Sequence, residues 1–266
     1  MYSVSEAYLQ KMFDQVQTHK LSGTVDDIAF DGNDVIGVSY TNRCSDKKVN
    51  LGSVNIGVLK LTFLKDILDR GDFYGKKITI SDNLLVGYDD EDEPIYEAVP
   101  IGEFYISEAT WRGASMIDVT AYDVLSLMDK PLQIDQTSGK LYNFCQFIEA
   151  ETGAPFGMTE LECDAMVNGD VIIAPYFQND MTTYRDLLSC LAVFVGGFAY
   201  ADRSGKWRLK SFNNTSLLSI SDNRRFSGTK ISDFQTRFDC LAYVDIQDNE
   251  RVMYIGDPEG VIMNIG

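Results

Sequence analysis

The sequence predicts an α+β protein rich in β-strands: an antiparallel, barrel-like β domain, then an α+β domain, then the start of a further β unit. The first observation is the alternation of apolar and polar residues from Leu21 to Tyr122, which is typical of half-buried strands. At least six such segments follow one another with no helical pattern between them, which favours an antiparallel barrel or sandwich. The second observation is that helical spacing appears after Asp123. We expect the domains at 1–133, 134–226 and 227–266.

The first two predicted elements are a helix and a β-hairpin. Apolar residues recur at helical spacing over 4–19, which places His19 at the polar end of a helix, favourably against the helix dipole. The segment 28–41 is typical of two strands joined by a tight turn at 31–34. We therefore expect these two strands to pair with each other.

Three further segments complete the predicted β domain. Residues 51–64 alternate, and Gly52 and Gly57 suit a bulge or a sharp bend. A strand is predicted at 76–82, and residues 101–122 predict a strand, a tight turn and a second strand.

Two carboxylates near the end of this last hairpin, Asp118 and Asp123, are candidates for chemistry or for structure. Asp118 alternates to the polar face of its strand. Asp123 directly precedes the apolar run VLSLM and suits a helix N-cap, where its side chain accepts the free amides of the first turn. We expect Asp123→Ala to cost about 1 kcal/mol of stability and no catalytic activity.

The rest of the chain predicts short helices with a hairpin, followed by more strands. The predicted elements are, in order, a helix stopped by Pro131, a helix over 140–153, a short strand at 170–176, a helix from Thr182 or Thr183 to Gly196, and a hairpin over 198–212. In the hairpin we expect Phe198 and Tyr200 to lie across from Trp207 and Leu209. The chain stops two residues after Asn264, inside an apparent strand, so we expect an interrupted third unit.

Charge and composition narrow the function classes. The chain has 23 basic and 40 acidic residues, a net charge of −17, which disfavours gripping a nucleic-acid duplex or coating an anionic membrane. No secretion signal is visible, and the longest apolar run, 187–200, is shorter than the roughly 20 residues of a membrane span. We expect a soluble protein. The 5 cysteines form no CxxC pair, which favours buried or half-buried thiols in a reducing compartment.

No pattern points to a catalytic, cofactor or metal site. The chain has a single histidine, His19, and no GxSxG or cysteine-nucleophile motif accompanies it. The acidic run 89–93 lacks the spacing and the glycine of an EF-hand loop, and neither GxxxxGK[ST] nor GxGxxG is present. Glu103 and Glu108 flank one strand and leave a glycosidase-like pair of carboxylates open, although no spacing marks them out. We therefore predict no site residues and no cofactor.

The order of several segments resembles a known family. The most specific pieces are PIGEFYI…VTAYD and RDLLSCLAVFVGGFAYADRSGKW; VDDIAFDGNDVIGVSYT, LGSVNIGVLKLTF and GKKITI come before them, and YIGDPEG comes after. From about residue 21 to 266 the chain resembles the baseplate hub, or the N-terminal part of the tail-associated lysin, of long-tailed bacteriophages and of prophages of Gram-positive bacteria.

The resemblance implies a homotrimeric ring at the tip of the virion tail, made and assembled in the host cytoplasm. Its β-barrel domains would continue the tail tube, and its α+β domains would lie outside. It also implies contacts with distal tail and tape-measure proteins above, and with a fibre, spike or lysin module below. DNA would only pass through, and no stable membrane association or enzymatic activity is implied.

Two other functions stay open at the level of sequence. One is a cell-wall hydrolase that uses acidic residues. The other is a carbohydrate-binding module that uses exposed aromatic side chains such as Trp111 and Trp207, although a tryptophan beside a hairpin turn more often packs over it.

Overall fold

The computed structural model describes residues 2–42, 50–64, 73–113, 115–133, 138–173 and 181–212, and the backbone of 240–244, 252–256 and 262–265. The chain divides into two compact units, Met1–Phe212 and Asn213–Gly266. The predicted β-rich α+β class is confirmed, because an antiparallel sheet of seven strands is accompanied by several helices. The finer boundaries at 133 and 226 stay predictions.

The large sheet is built from the first half of the chain, after a short helix α1 (Glu6–Lys11). Its strands lie in the order β2-β1-β6-β7-β8-β5-β3. A two-residue strand, β4 (Ser53–Val54), belongs to another sheet. The seven strands are β1 (His19–Val25), β2 (Ile28–Asp31), β3 (Val35–Thr41), β5 (Val58–Leu64), β6 (Lys77–Tyr88), β7 (Pro94–Arg112) and β8 (Met116–Tyr122).

This sheet is rolled into a barrel. Strands β2 and β3 lie at opposite ends of the strand order, yet only residues 32–34 connect them. Four residue steps span at most about 14 Å, so the two edges must meet at this point. The rings of Phe30 on β2 and Phe63 on β5 contact across the interior, with centroids 5.0 Å apart. The barrel-like expectation is therefore met.

The expected pairing of the two strands in 28–41 is wrong. Strand β2 pairs with β1, and β3 pairs with β5. Alternation identifies each segment as a strand, but it does not determine which neighbour completes its hydrogen-bond ladder. Here β2 and β3 each pair with a different strand of the sheet, and the turn that connects them closes the barrel.

Alternate side chains of the seven strands fill the barrel. Each large apolar side chain buried there contributes about 1.5–3 kcal/mol relative to an exposed one. The buried members are Val25, Phe30, Leu59, Leu61, Phe63, Phe73, Ile78, Ile80, Phe104, Ile106, Ile117, Val119 and Ala121.

A second core follows the barrel in sequence. It is formed by a 3₁₀ helix (Val124–Asp129), α2 (Leu141–Thr152), α3 (Glu160–Asp164), α4 (Tyr184–Phe194) and a sheet in which β9 (Gly197–Ala201) lies between β10 (Trp207–Ser211) and β4. The predicted helix ends are confirmed: Gly153 ends α2 with φ 74°, and the Thr183 hydroxyl accepts the Asp186 amide at the start of α4. The buried Cys145 and Cys163 are free thiols of this core.

The predicted helix over 4–19 is wrong in length. Helix α1 covers only Glu6–Lys11 and buries one side chain, Tyr8, against Leu84 and Val99. The apolar residues after it stay exposed, so no core surface supports a longer helix. His19 instead begins β1, where its Nδ1 lies 2.8 Å from the Asp82 carboxylate.

The predicted register of the last hairpin is also wrong. Phe198 and Tyr200 lie opposite Lys210 and Arg208, whereas Trp207 and Leu209 lie opposite two alanines. A five-residue connection between β9 and β10 sets this pairing, and it places small residues beside the buried Trp207.

The predicted strand at 170–176 is reduced to a single β-bridge between Ile173 and Gly139 within the described residues. Residues 174–176 lie outside them.

The second unit contains a three-stranded sheet in the order β12-β11-β13. Its strands are β11 (Cys240–Val244), β12 (Val252–Gly256) and β13 (Ile262–Ile265). Strand β11 pairs antiparallel with β12 and parallel with β13. The predicted turn at 256–260 lies almost entirely outside the described residues.

Gly23→Ala should destabilise the barrel. A Cβ on Gly23 would lie 2.2 Å from the Thr79 carbonyl oxygen and 2.4 Å from the Phe30 ring, so a strand must shift. We expect a loss of about 1–3 kcal/mol in the free energy of unfolding, measured by denaturant titration. Gly87→Ala is the matched control, because nothing lies within 4 Å of its Cβ position and it also lies on a strand of this sheet. Equal losses in the two variants would contradict this account.

Candidate functional site

The carboxylates Asp118, Glu103 and Glu108 lie apart, and the first two are engaged in separate contacts. Asp118 accepts the Thr62 hydroxyl at 2.7 Å and pairs with Arg112 at 2.7 Å, on the polar face as predicted. Glu103 pairs with Lys77 at 3.2 Å, and Glu108 lies five residues further along β7, about 16 Å in an extended strand. Within the described residues no group of three His, Cys, Asp or Glu side chains could hold a metal ion.

The acidic run at 89–93 forms a turn between β6 and β7. The Asp89 carboxylate accepts the amides of Glu91 and Glu93, at 2.9 and 2.8 Å. These bonds account for the turn without an ion.

Asp123 is the most enclosed carboxylate of the described chain and joins the barrel to the second core. It is 2% exposed. Its Oδ1 accepts the Leu125 amide at 3.0 Å, so the predicted N-cap is confirmed on a 3₁₀ helix. Its Oδ2 accepts the Gly57 amide at 2.7 Å, just before β5 begins, and its own amide donates to the Gly57 carbonyl at 3.0 Å. One side chain therefore fixes two chain segments that are distant in sequence.

The environment of Asp123 brings the pKa of its carboxyl group closer to neutral pH. Burial raises the pKa of Asp123 from 3.8 to about 6, although the Gly57 and Leu125 amides and the charge of Arg185 favour the ionised form. The Tyr40 ring encloses the same place, since a Cβ on Gly57 would lie 3.4 Å from it and 2.7 Å from the Asp123 carboxylate. Gly57 is therefore needed here for close approach to Asp123.

The edge strand β3 is exposed on both faces. Its only ladder in the described chain is with β5. Val38 and Tyr40 lie opposite the fully buried Leu61 and Leu59, so they face the core side of the sheet, yet they remain 46% and 38% exposed. A strand with one unpaired edge and a row of exposed apolar side chains favours pairing with another chain. We call this strand, with its free hydrogen-bonding groups, the β3 edge.

A second apolar surface follows α1. Four large apolar side chains are exposed within eight residues, which is more than scattered surface hydrophobicity and indicates a contact site. They are Leu9, Met12, Phe13 and Val16.

The tryptophans do not form the expected exposed sugar platform. Trp207 is fully buried, and its Nε1 donates to the Ala154 carbonyl at 3.0 Å. Trp111 is half-buried and packs against the barrel core. The alternative of an exposed, sugar-binding Trp207 is therefore wrong. Among the described residues no helix has the length and hydrophobicity to cross a bilayer.

Comparison with solved structures identifies the architecture. The 43 kDa tail protein of prophage MuSo2 from Shewanella oneidensis aligns with 93% of this chain and 72% of its own, at 14% identity and a TM-score of 0.52. A tail protein from Neisseria meningitidis MC58 aligns with 92% of this chain and 71% of its own, at 9% identity and a TM-score of 0.55. This chain has the fold of phage tail proteins. No protein-family model and no curated protein matches the sequence.

The tail-protein fold gives the exposed surfaces a context that the sequence lacked. The β3 edge and the apolar surface after α1 were not recognised as binding surfaces, because apolar residues at these spacings predict burial. Only their exposure in the folded chain distinguishes them, and that requires the fold. The Asp123 cap was recognised, but its bond to Gly57 joins residues 66 positions apart.

Asp123→Asn should change how stability depends on pH. The native state holds the Asp123 proton more tightly than the unfolded chain does, so its stabilising contribution is full below about pH 4 and is lost as pH rises through about 6. At about 1.4 kcal/mol per pKa unit, the wild type should lose about 3 kcal/mol relative to the variant between pH 4 and pH 7. Denaturant titrations of both proteins at a series of pH values measure this difference. A constant difference across that range would contradict the buried, proton-binding role.

Proposed function

We propose that the chain is a structural component of a phage or prophage tail baseplate, a hub ring that continues the tail tube. The observation that carries the proposal is a tail-protein fold whose rolled sheet presents an unpaired edge. A ring subunit needs two different surfaces, one for each neighbour, because a head-to-tail contact repeated around an axis closes a ring. The β3 edge and the apolar surface after α1 are two such surfaces. We expect a homotrimer.

The ring joint would form at the β3 edge. A strand from the neighbouring copy would take up the free backbone groups of β3 and cover Val38 and Tyr40. This arrangement would form a hydrogen-bonded ladder between the two copies and bury both apolar side chains.

The acidic character suits a conduit for DNA. A net charge of −17 on each chain supplies repulsion, so DNA would pass as cargo without binding to the wall. Distal tail and tape-measure proteins would contact the ring on one side, and a fibre, spike or lysin module on the other. The ring would lie at the virion tail tip after assembly in the host cytoplasm, with no stable membrane association.

A structural role is favoured over hydrolysis. Among the described residues, Asp123 is the buried carboxylate, and each of its two oxygens accepts a hydrogen bond from a backbone amide. Glu103 forms an ion pair with Lys77. A turbidity assay on purified cell walls tests this preference. We expect no clearing by the purified chain, and clearing at a rate that follows the amount of protein would reject the structural assignment.

Val38→Lys should prevent ring formation. It places a charge on the core side of the edge strand, where a neighbouring strand would bury it. We expect a wild-type trimer and a monomeric variant by analytical ultracentrifugation, with both proteins still unfolding cooperatively. Thr110→Lys adds the same charge at an exposed position on β7 and should stay trimeric. A monomeric wild type, or a trimeric Val38→Lys, would reject the β3 edge as the ring joint.

A further inference from the structure

The outer wall of the barrel carries a polar groove of about 570 Å³, which begins on the outer face of β3. Its floor is a row of four side chains on four neighbouring strands: Ser39 pairs with Lys60, Lys60 with Thr120, and Thr120 with Glu108. Lys60 and Thr120 point away from the core, because the residues beside them on their strands are buried. Ser39 and Glu108 pair directly with these two residues and so lie on the same face. With strands about 4.8 Å apart, the Lys60 and Glu108 backbones are about 10 Å apart.

A second row deepens the groove. Thr41 pairs with Val58, and Val58 pairs with Tyr122, two residues along each strand from the first row. The segment Asn55–Ile56, which leads from β4 to β5, forms one wall. The lining therefore combines hydroxyls, an amide, one cation and one anion around a small apolar area.

A β-bulge directs Glu108 into the groove. From Gly102 to Ile106, the even-numbered residues of β7 face the core, so unbroken alternation would turn Glu108 inward. The register shifts between Ile106 and Glu108, with Ser107 as the extra residue. Beyond the shift, Ala109 and Trp111 pack against the core, and Glu108 is exposed. Bulges of this kind often re-aim a side chain beside a functional site.

Neither charge in the groove is used within the described chain. Lys60 and Glu108 make no ion pair with another described residue, in contrast to Lys77 and Glu103 on the same sheet. Two opposite charges with hydroxyls between them give a surface without net charge, which accepts and donates hydrogen bonds equally well.

We infer that this groove binds a short neutral saccharide. Each sugar hydroxyl is both a donor and an acceptor, so it matches a lining in which Glu108 only accepts, Lys60 only donates, and the threonine hydroxyls do both. The volume lies in the range of small-ligand pockets. A phosphorylated ligand is disfavoured, because Glu108 offsets the single lysine.

An extended peptide fits the groove less well than a saccharide does. The floor strands β5 and β8 are paired on both sides, so their backbone groups are already used. Recognition here must come from side chains, which suits a hydroxyl-rich ligand.

The test titrates the whole chain with chitotriose and with maltotriose, and NMR chemical shifts report the binding of each probe. We expect one probe to bind with a Kd of about 1 mM or tighter. Glu108→Gln and Thr120→Val each remove one hydrogen-bonding role with little change in shape and should weaken binding about tenfold. Ser39→Trp fills the groove from its exposed end and should abolish binding.

Two matched controls separate the groove from the rest of the surface. Glu91→Gln and Thr110→Val make the same chemical changes at exposed positions outside the groove and should keep the wild-type Kd. Melting temperatures confirm that each variant is folded. The inference is overturned if neither trisaccharide binds the wild type, or if the groove variants and the controls bind equally.

Discussion

The three-residue connection between β2 and β3 constrains the whole first unit. It brings the two ends of a seven-stranded sheet together and so determines which face of every strand becomes interior. The interior then fills with the alternate apolar residues of the sheet. Closure is incomplete in hydrogen bonding, because β2 and β3 share no ladder in the described chain. The same constraint thus builds the core and leaves a strand available to a neighbour.

The segment between β3 and β5 connects the barrel to the mixed core. Gly52 donates to the Gly197 carbonyl at 2.8 Å and accepts the Ser189 hydroxyl at 2.7 Å, and β4 adds to the sheet of β9. A few residues later, Gly57 meets Asp123. These contacts hold the two cores in one compact unit, and the same segment walls the polar groove, so the groove depends on the junction.

Much of the local structure is predictable from the sequence, whereas pairing and exposure are not. Caps at Asp123, Gly153 and Thr183 follow from short-range hydrogen-bond geometry, and the strands follow from alternation. The partner of β2, the register of β9 against β10 and the exposure of β3 depend on distant residues. For the candidate sites, the sequence indicated the structural role of Asp123. It offered Glu108 only as one of a possible carboxylate pair and did not indicate the groove, because alternation alone would place that side chain in the core.

The bulge at Ser107 has a consequence for how β7 tolerates change in length. One inserted residue separates two stretches of the strand that have opposite phases. Deleting it would make the ladder regular, with Ile106 and Ala109 still facing the core and Glu108 still facing outward. Loss of that one residue would therefore straighten β7 and leave its two faces unchanged.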